Sequence, residues 1–163
     1  MTQITKNNYI KFLEFLAINQ WKAPSQLSQD LFVIYFSGRK KDGFFIEIGA
    51  SDGFMLSNTL ALEKYGWKGI ISEPSSVYRD KITKRRCIIS KKAVFNESGL
   101  KLLFAEVEKY PDLSGLKDSL DKDMNHHRRN ESNTVEVETI SLNDLIEKNT
   151  SNKNIDYISI DTE

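Results

Sequence analysis

The segment Glu47-Ile48-Gly49-Ala50-Ser51-Asp52-Gly53 concentrates two glycines and two carboxylates in one short loop. Glycines at both ends of the loop let a backbone turn sharply and approach a ligand closely. The spacing is G-x-x-x-G, not the G-x-G-x-x-G of a dinucleotide fingerprint. A pyrophosphate is held by bare amides at a helix N-terminus, and Glu47 and Asp52 would repel it. The same carboxylates suit a cationic ligand. S-adenosyl-L-methionine carries both a sulfonium and an ammonium, so the loop is read as its cofactor-binding segment. Asp52 has a second use open to it, as the cap of the following helix.

Glu73 lies about twenty residues further on, where a carboxylate can accept hydrogen bonds from two ribose hydroxyls. A ribose is common to NAD and S-adenosylmethionine, so Glu73 does not separate them; a solvated strand-end carboxylate is the bland alternative. Asp161 and Glu163 close the chain. They are candidates to orient or deprotonate an acceptor hydroxyl, set against the plain reading of a polar chain end. His126-His127-Arg128-Arg129, with Asp118, Asp121 and Asp123 upstream, matches no compact metal motif. It is read as a solvated loop, and no metal is expected. Lys81, Lys84, Arg85 and Arg86 read as a solvated helix end, and Trp21, Trp67 and the phenylalanines as core.

Those residues need a frame, and the chain supplies an alternating one. Phe44 to Ile48 is a short buried strand that delivers the glycine loop. Phe54 to Tyr65 is predicted helical, with Gly66 at its C′ position. Gly69 to Glu73 is a second strand, stopped by Pro74. Ser76 is placed to cap a helix running to about Lys84, and Cys87 to Ser90 is a third strand. Strand–helix–strand repetition implies a parallel sheet with right-handed crossovers, and ligands bind such sheets beyond the carboxyl ends of the strands. Lys101 to Val107 and Thr134 to Ile140 read as half-exposed strands around a polar stretch, Glu108 to Asn133. Ser141-Leu142-Asn143-Asp144 opens a helix to about Lys148, and Ile155 to Ile160 is a fourth core strand. Before all of this, Tyr9, Phe12, Leu13 and Leu16 form one helical stripe and Asp30 to Phe36 a second helix. Residues 1–40 are therefore expected to be an N-terminal helical segment, and 41–163 the cofactor-binding domain.

The 163 residues suit one domain, and 23 basic against 23 acidic side chains leave no net charge. Nothing in that balance draws the chain to nucleic acid or an anionic membrane. No apolar run approaches bilayer length, and the single Cys87 cannot form an internal disulfide. A cytoplasmic protein acting on a small molecule is expected.

Several of these segments together resemble the FkbM-type methyltransferases. They are Ser28 to Phe32, Gly43 to Gly53, Ser57-Asn58-Thr59, Gly66-Trp67-Lys68-Gly69 running into Glu73-Pro74, Val137 to Leu145, and Asp156 to Glu163. The resemblance implies a Rossmann-like class I α/β fold, a parallel sheet flanked by helices. It implies methyl transfer from S-adenosylmethionine to oxygen of a sugar or natural-product acceptor. By position, Glu47, Gly49 and Gly53 would line the methionine end and Glu73 the ribose. Lys92-Ala93-Val94 would run beside the adenine, and Asp161 and Glu163 would face the methyl group. Family members continue with further strands, so the expected fold has its C-terminal strands missing. The exposed edge of the fourth strand is then expected to drive self-association. The rival readings are an NAD-linked oxidoreductase and a non-catalytic fragment that binds cofactor or nothing.

Overall fold

The computed structural model describes residues 6–122, 131–151 and 154–162. Its centre is a parallel four-stranded sheet. The strands are β1 (Phe44–Ile48), β2 (Lys68–Ser72), β3 (Ile88–Ser90) and, far along the chain, β8 (Tyr157–Ile160). Their spatial order is β3-β2-β1-β8. After β1 the chain steps outward to β2 and β3, then returns to the other side of β1. That reversal makes a topological switch point between β1 and β8, where a crevice opens at the carboxyl ends.

Alternation along β1 divides the core. Phe45 and Ile71 face α2 (Gln29–Phe36) and α3 (Leu60–Tyr65), packing with Leu31, Ile34, Leu62 and Trp67. Phe44, Ile46, Ile48 and Ile70 face the other way, onto Ile140 and Leu145. Glu47 shares the helix-side face with Phe45, so strand geometry alone drives this carboxylate into the interior. The leading helix α1 (Lys6–Asn19) leans on α2 through Phe12, whose ring meets Phe32 edge-on at 5.6 Å.

Between β3 and β8 the chain builds a second, mixed sheet from β4 (Ala93–Phe95), β5 (Lys101–Val107), β6 (Gly115–Leu116) and β7 (Ser132–Ser141). The two strands expected from alternation, 101–107 and 134–140, are its antiparallel centre, paired from Lys101↔Glu138 to Val107↔Ser132. A single turn of 3-10 helix at Pro111–Leu113 follows β5. Helix α5 (Leu142–Asn149) opens as expected, with Ser141 Oγ accepting from the Asp144 N–H at 3.1 Å. The architecture is α/β and compatible with a Rossmann-like methyltransferase fold.

Three expectations are corrected. The helix over 54–65 forms only at Leu60–Tyr65, and Leu56 stands at φ +57°. Asp52 takes the N–H groups of Phe54 and Met55 as a helix cap would, but the Asn58 N–H, which a longer helix would bond to the Phe54 carbonyl, goes to Glu47 on β1 instead. The helix expected from Ser76 shrinks to α4 (Arg79–Ile82), because Ser76 donates its hydroxyl to Glu106 on β5 instead of capping. Trp21 is not core: it is 79% exposed, and Phe32, Phe36 and Phe95 are also partly bare. Trp67 is buried as expected. No helix among the described residues is long and apolar enough to cross a membrane.

Candidate functional site

A cavity of about 630 Å³ opens at the switch point, beyond the ends of β1, β2 and β8. The glycine loop forms its floor. Gly49 is held at φ +79°, and a Cβ there would lie 1.9 Å from the Asp161 carbonyl oxygen, so glycine is required by the close passage of the chain leaving β8. Gly53 closes the loop by donating its N–H to the Ala50 carbonyl at 2.8 Å. A Cβ on Gly53 would meet Arg85 and Ile82 rather than open space, and Gly53 is not part of the cavity wall. The glycines thus admit the protein's own chain at these two points.

Behind the loop lies a buried ionic network that sequence reasoning missed. Arg85, read from the sequence as part of a solvated helix end, has a fully buried side chain. It donates to the Gly53 carbonyl at 2.6 Å, to Ser57 Oγ at 3.2 Å, to Thr59 Oγ1 at 3.0 Å and to Glu63 at 3.1 Å. The Glu47 carboxylate accepts from the Asn58 N–H at 2.8 Å, from the Thr59 hydroxyl at 2.6 Å and from Ser57, with Arg85 3.8 Å away. Burial raises the Glu47 carboxyl above its ordinary range, against the pull of these donors and of Arg85. Burial acts the same way on Glu63, but Arg85 and the surrounding donors outweigh it and hold Glu63 low. Every partner of the Arg85 side chain is distant in sequence, which is why a run of basic residues looked solvated.

Glu73 stands at the end of β2, 7% exposed, on the cavity wall. One carboxylate oxygen accepts from the Ser51 N–H and the other from the Ser75 N–H, both at 2.9 Å. Burial pushes its carboxyl up to about 7, only partly offset by those amides and by Arg79, while Asp112 adds to the rise. Asp52 also lines the cavity; its Oδ1 binds the N–H groups of Phe54 and Met55, and its Oδ2 lies 3.5 Å from Lys81. Asp52 therefore caps, although what it caps is a turn, and it does so from a position on the cavity wall.

Ala50, Pro74, Ala93 and Asp161 line the cavity as well. Lys92 does not: its ammonium pairs with exposed Glu138 on the outside, while its carbonyl accepts from Ser72 Oγ at 2.8 Å. Glu163 and the His126–Arg129 run lie outside the described residues. Among the described residues no cluster of His, Cys, Asp or Glu could hold a metal ion. The wall also includes residues to which sequence reasoning assigns no site role: Tyr78, Asp112, Gln26, Gln29 and Asn58. Asp112 sits in the polar stretch after β5, and its place here depends on the second sheet folding back over the first.

Residues 47–163 match the model of the methyltransferase FkbM domain, which is well over half of the chain and contains every wall described above except the 26–29 segment. The chain belongs to the FkbM methyltransferase family. No curated protein and no solved structure matches it. In FkbM terms, the matched region begins at Glu47, the residue on which the buried network converges. Methyl transfer is therefore the chemistry that this cavity has to be read against.

Proposed function

We propose that the chain transfers a methyl group from S-adenosyl-L-methionine to a hydroxyl oxygen of a small sugar-like or natural-product acceptor, within a class I methyltransferase fold in a cytoplasmic setting. The observation that carries this reading is the cavity at the carboxyl ends of β1, β2 and β8, floored by Gly49–Asp52 and walled by Glu73, inside the FkbM-matched region. The donor set fits the cofactor. Each Glu73 oxygen has one backbone donor and a further lone pair for a ribose hydroxyl. Ala93, Val94 and Phe95 offer an apolar wall for a flat ring. Lys81 is the only cation among the described lining residues, and Asp52 neutralises it. That leaves no unpaired cationic side chain among the described lining residues for a pyrophosphate, and the carboxylates of Asp52 and Glu73 oppose one.

When bound, S-adenosylmethionine supplies an activated methyl and its own leaving group. The chain's work is alignment and proton handling. Glu47 and Arg85 fix the loop from behind, Glu73 takes the ribose, and Asp161, exposed beside Gly49, is placed to accept the acceptor's proton. Calorimetry with S-adenosylhomocysteine and NAD tests this directly. S-adenosylhomocysteine should bind and NAD should not, and Glu73→Ala should weaken the former by about 1–3 kcal/mol. Binding of NAD alone would overturn the reading. Nucleic acid is not expected to bind. Ile158 and Ile160 stand exposed on β8, one of the two outer strands of the parallel sheet among the described residues. Self-association along that edge follows as an expectation for light scattering.

A further inference from the structure

Ser51 is a non-glycine residue held at φ +48°, a left-handed conformation that costs energy and persists only where surroundings enforce it. Here it serves two carboxylates at once. Its N–H donates to Glu73 Oε2 at 2.9 Å, and its hydroxyl donates to Asp112 Oδ1 at 3.3 Å. The Tyr78 hydroxyl, from the loop after β2, donates to that same Asp112 oxygen at 2.7 Å. Three segments far apart in sequence thus meet on one atom: the glycine loop, the entry to α4, and the 111–113 turn of the second sheet. The second sheet grips the loop after β2 at another point, where Glu106 of β5 accepts from Ser76 Oγ at 2.8 Å and from the Ser76 N–H.

We propose that Asp112 is a positioning residue of the cavity: it ties the second sheet to the glycine loop through Ser51 and Tyr78, and by holding Ser51 it sets where Glu73, bound to the Ser51 N–H, meets ligand hydroxyls. The second half rests on the reading that Glu73 takes the cofactor's ribose. The groups facing Glu73 are the Ser51 and Ser75 amides, Arg79 on α4, Tyr78, and Asp112 across the turn. Arg79 favours the anion and Asp112 opposes it. An ionised Glu73 accepts from two hydroxyls, whereas its protonated form gives up part of that capacity. Cofactor affinity should therefore rise with pH through the Glu73 midpoint.

Two variants separate the roles. Asp112→Asn keeps an oxygen for Ser51 and Tyr78 but deletes the charge; Tyr78→Phe deletes one tether and leaves the charge. The Glu73 carboxyl is followed in the full chain by carbon NMR with labelled glutamate, its signal assigned by disappearance in Glu73→Gln. The wild-type midpoint should fall near 7. In Asp112→Asn it should move down, and in Tyr78→Phe, which leaves the charge in place, it should stay. S-adenosylhomocysteine calorimetry across pH should show the half-maximal pH moving with the NMR midpoint in Asp112→Asn. Tyr78→Phe should instead weaken binding roughly two- to tenfold at every pH. Unchanged S-adenosylhomocysteine affinity in both Asp112→Asn and Tyr78→Phe, with an unmoved Glu73 midpoint, overturns the proposal. A moved midpoint with no S-adenosylhomocysteine binding to the wild type keeps the Asp112–Glu73 coupling and overturns the cofactor reading instead.

Discussion

The cavity has two sides of opposite construction. Behind the glycine loop, Arg85 and its partners are sealed from water and each donor is matched to an acceptor. In front, Asp112, Ser51 and Tyr78 form a small polar junction with a solvent-facing carboxylate and one long bond of 3.3 Å. Charges in a low dielectric interact strongly and are costly to orphan, while exposed ones are screened and exchange readily with water. The contrast assigns the rear to holding the loop rigid and makes the front the softer, water-exposed side of the cavity.

Removing Arg85 is the harshest way to break this comparison. Arg85→Met leaves Glu47 and Glu63 buried with no counter-charge and strands the Gly53 carbonyl, so denaturant unfolding should show a loss of about 3–5 kcal/mol. Arg85→Lys should rescue little, because one ammonium cannot reach carbonyl, hydroxyl and carboxylate together. If Arg85→Met costs no more than an exposed substitution, the rear is not the rigid side.

Gly49→Ala comes next. The new methyl would collide with the Asp161 carbonyl and force an alanine into φ +79°. Thermal melting should report a loss of about 2–4 kcal/mol. A neutral result would mean that the chain after β8 can move off the loop.

Glu73 should respond in two directions. Its carboxyl titrates near 4.3 when unfolded and near 7 when folded. Between those values the native state binds the extra proton, so stability is fully present below the lower pKa and is lost as pH rises through about 7. Glu73→Gln should therefore flatten the pH dependence of unfolding and stabilise the ligand-free protein at pH 8 by roughly 1–3 kcal/mol. It should also bind S-adenosylhomocysteine more weakly. A variant destabilised at pH 8 would show that the front wall needs the anion for folding, contrary to the comparison.

The frame of this site was legible in the sequence because its signals are local. An apolar run ending in glycine at Phe44–Gly49, a second at Gly69–Pro74, and the Ser141–Asp144 cap each declare themselves within a few residues. What escaped depends on partners remote along the chain. Arg85 finds Glu63 and Gly53 at separations of 22 and 32, and Tyr78 finds Asp112 at 34. The overlong helix at 54–65 failed for the same reason, since the carboxylate that takes the Asn58 N–H sits 11 residues back, on β1. Charge and hydrophobic periodicity describe a residue's own segment; they carry no record of which buried carboxylate will claim its hydrogen-bond donors.

The smallest effect belongs to Lys92, where segment position alone points to the cofactor. Its ammonium pairs with Glu138 at the surface, both side chains being substantially exposed. An ion pair so open to water is screened and loses side-chain entropy to hold its geometry. What Lys92 gives the cavity is its carbonyl, which accepts from Ser72 Oγ and so ties the end of β2 to the start of β4. Any other side chain at this position keeps that carbonyl. Lys92→Ala should leave both the melting temperature and S-adenosylhomocysteine affinity unchanged within error, while Ser72→Ala, which removes the buried donor, should lower stability by about 1 kcal/mol. If calorimetry finds Lys92→Ala weakened as strongly as Glu73→Ala, then the Lys92 ammonium leaves Glu138 for the ligand, and the division between a ligand-facing wall and a structural exterior fails at this edge of the cavity.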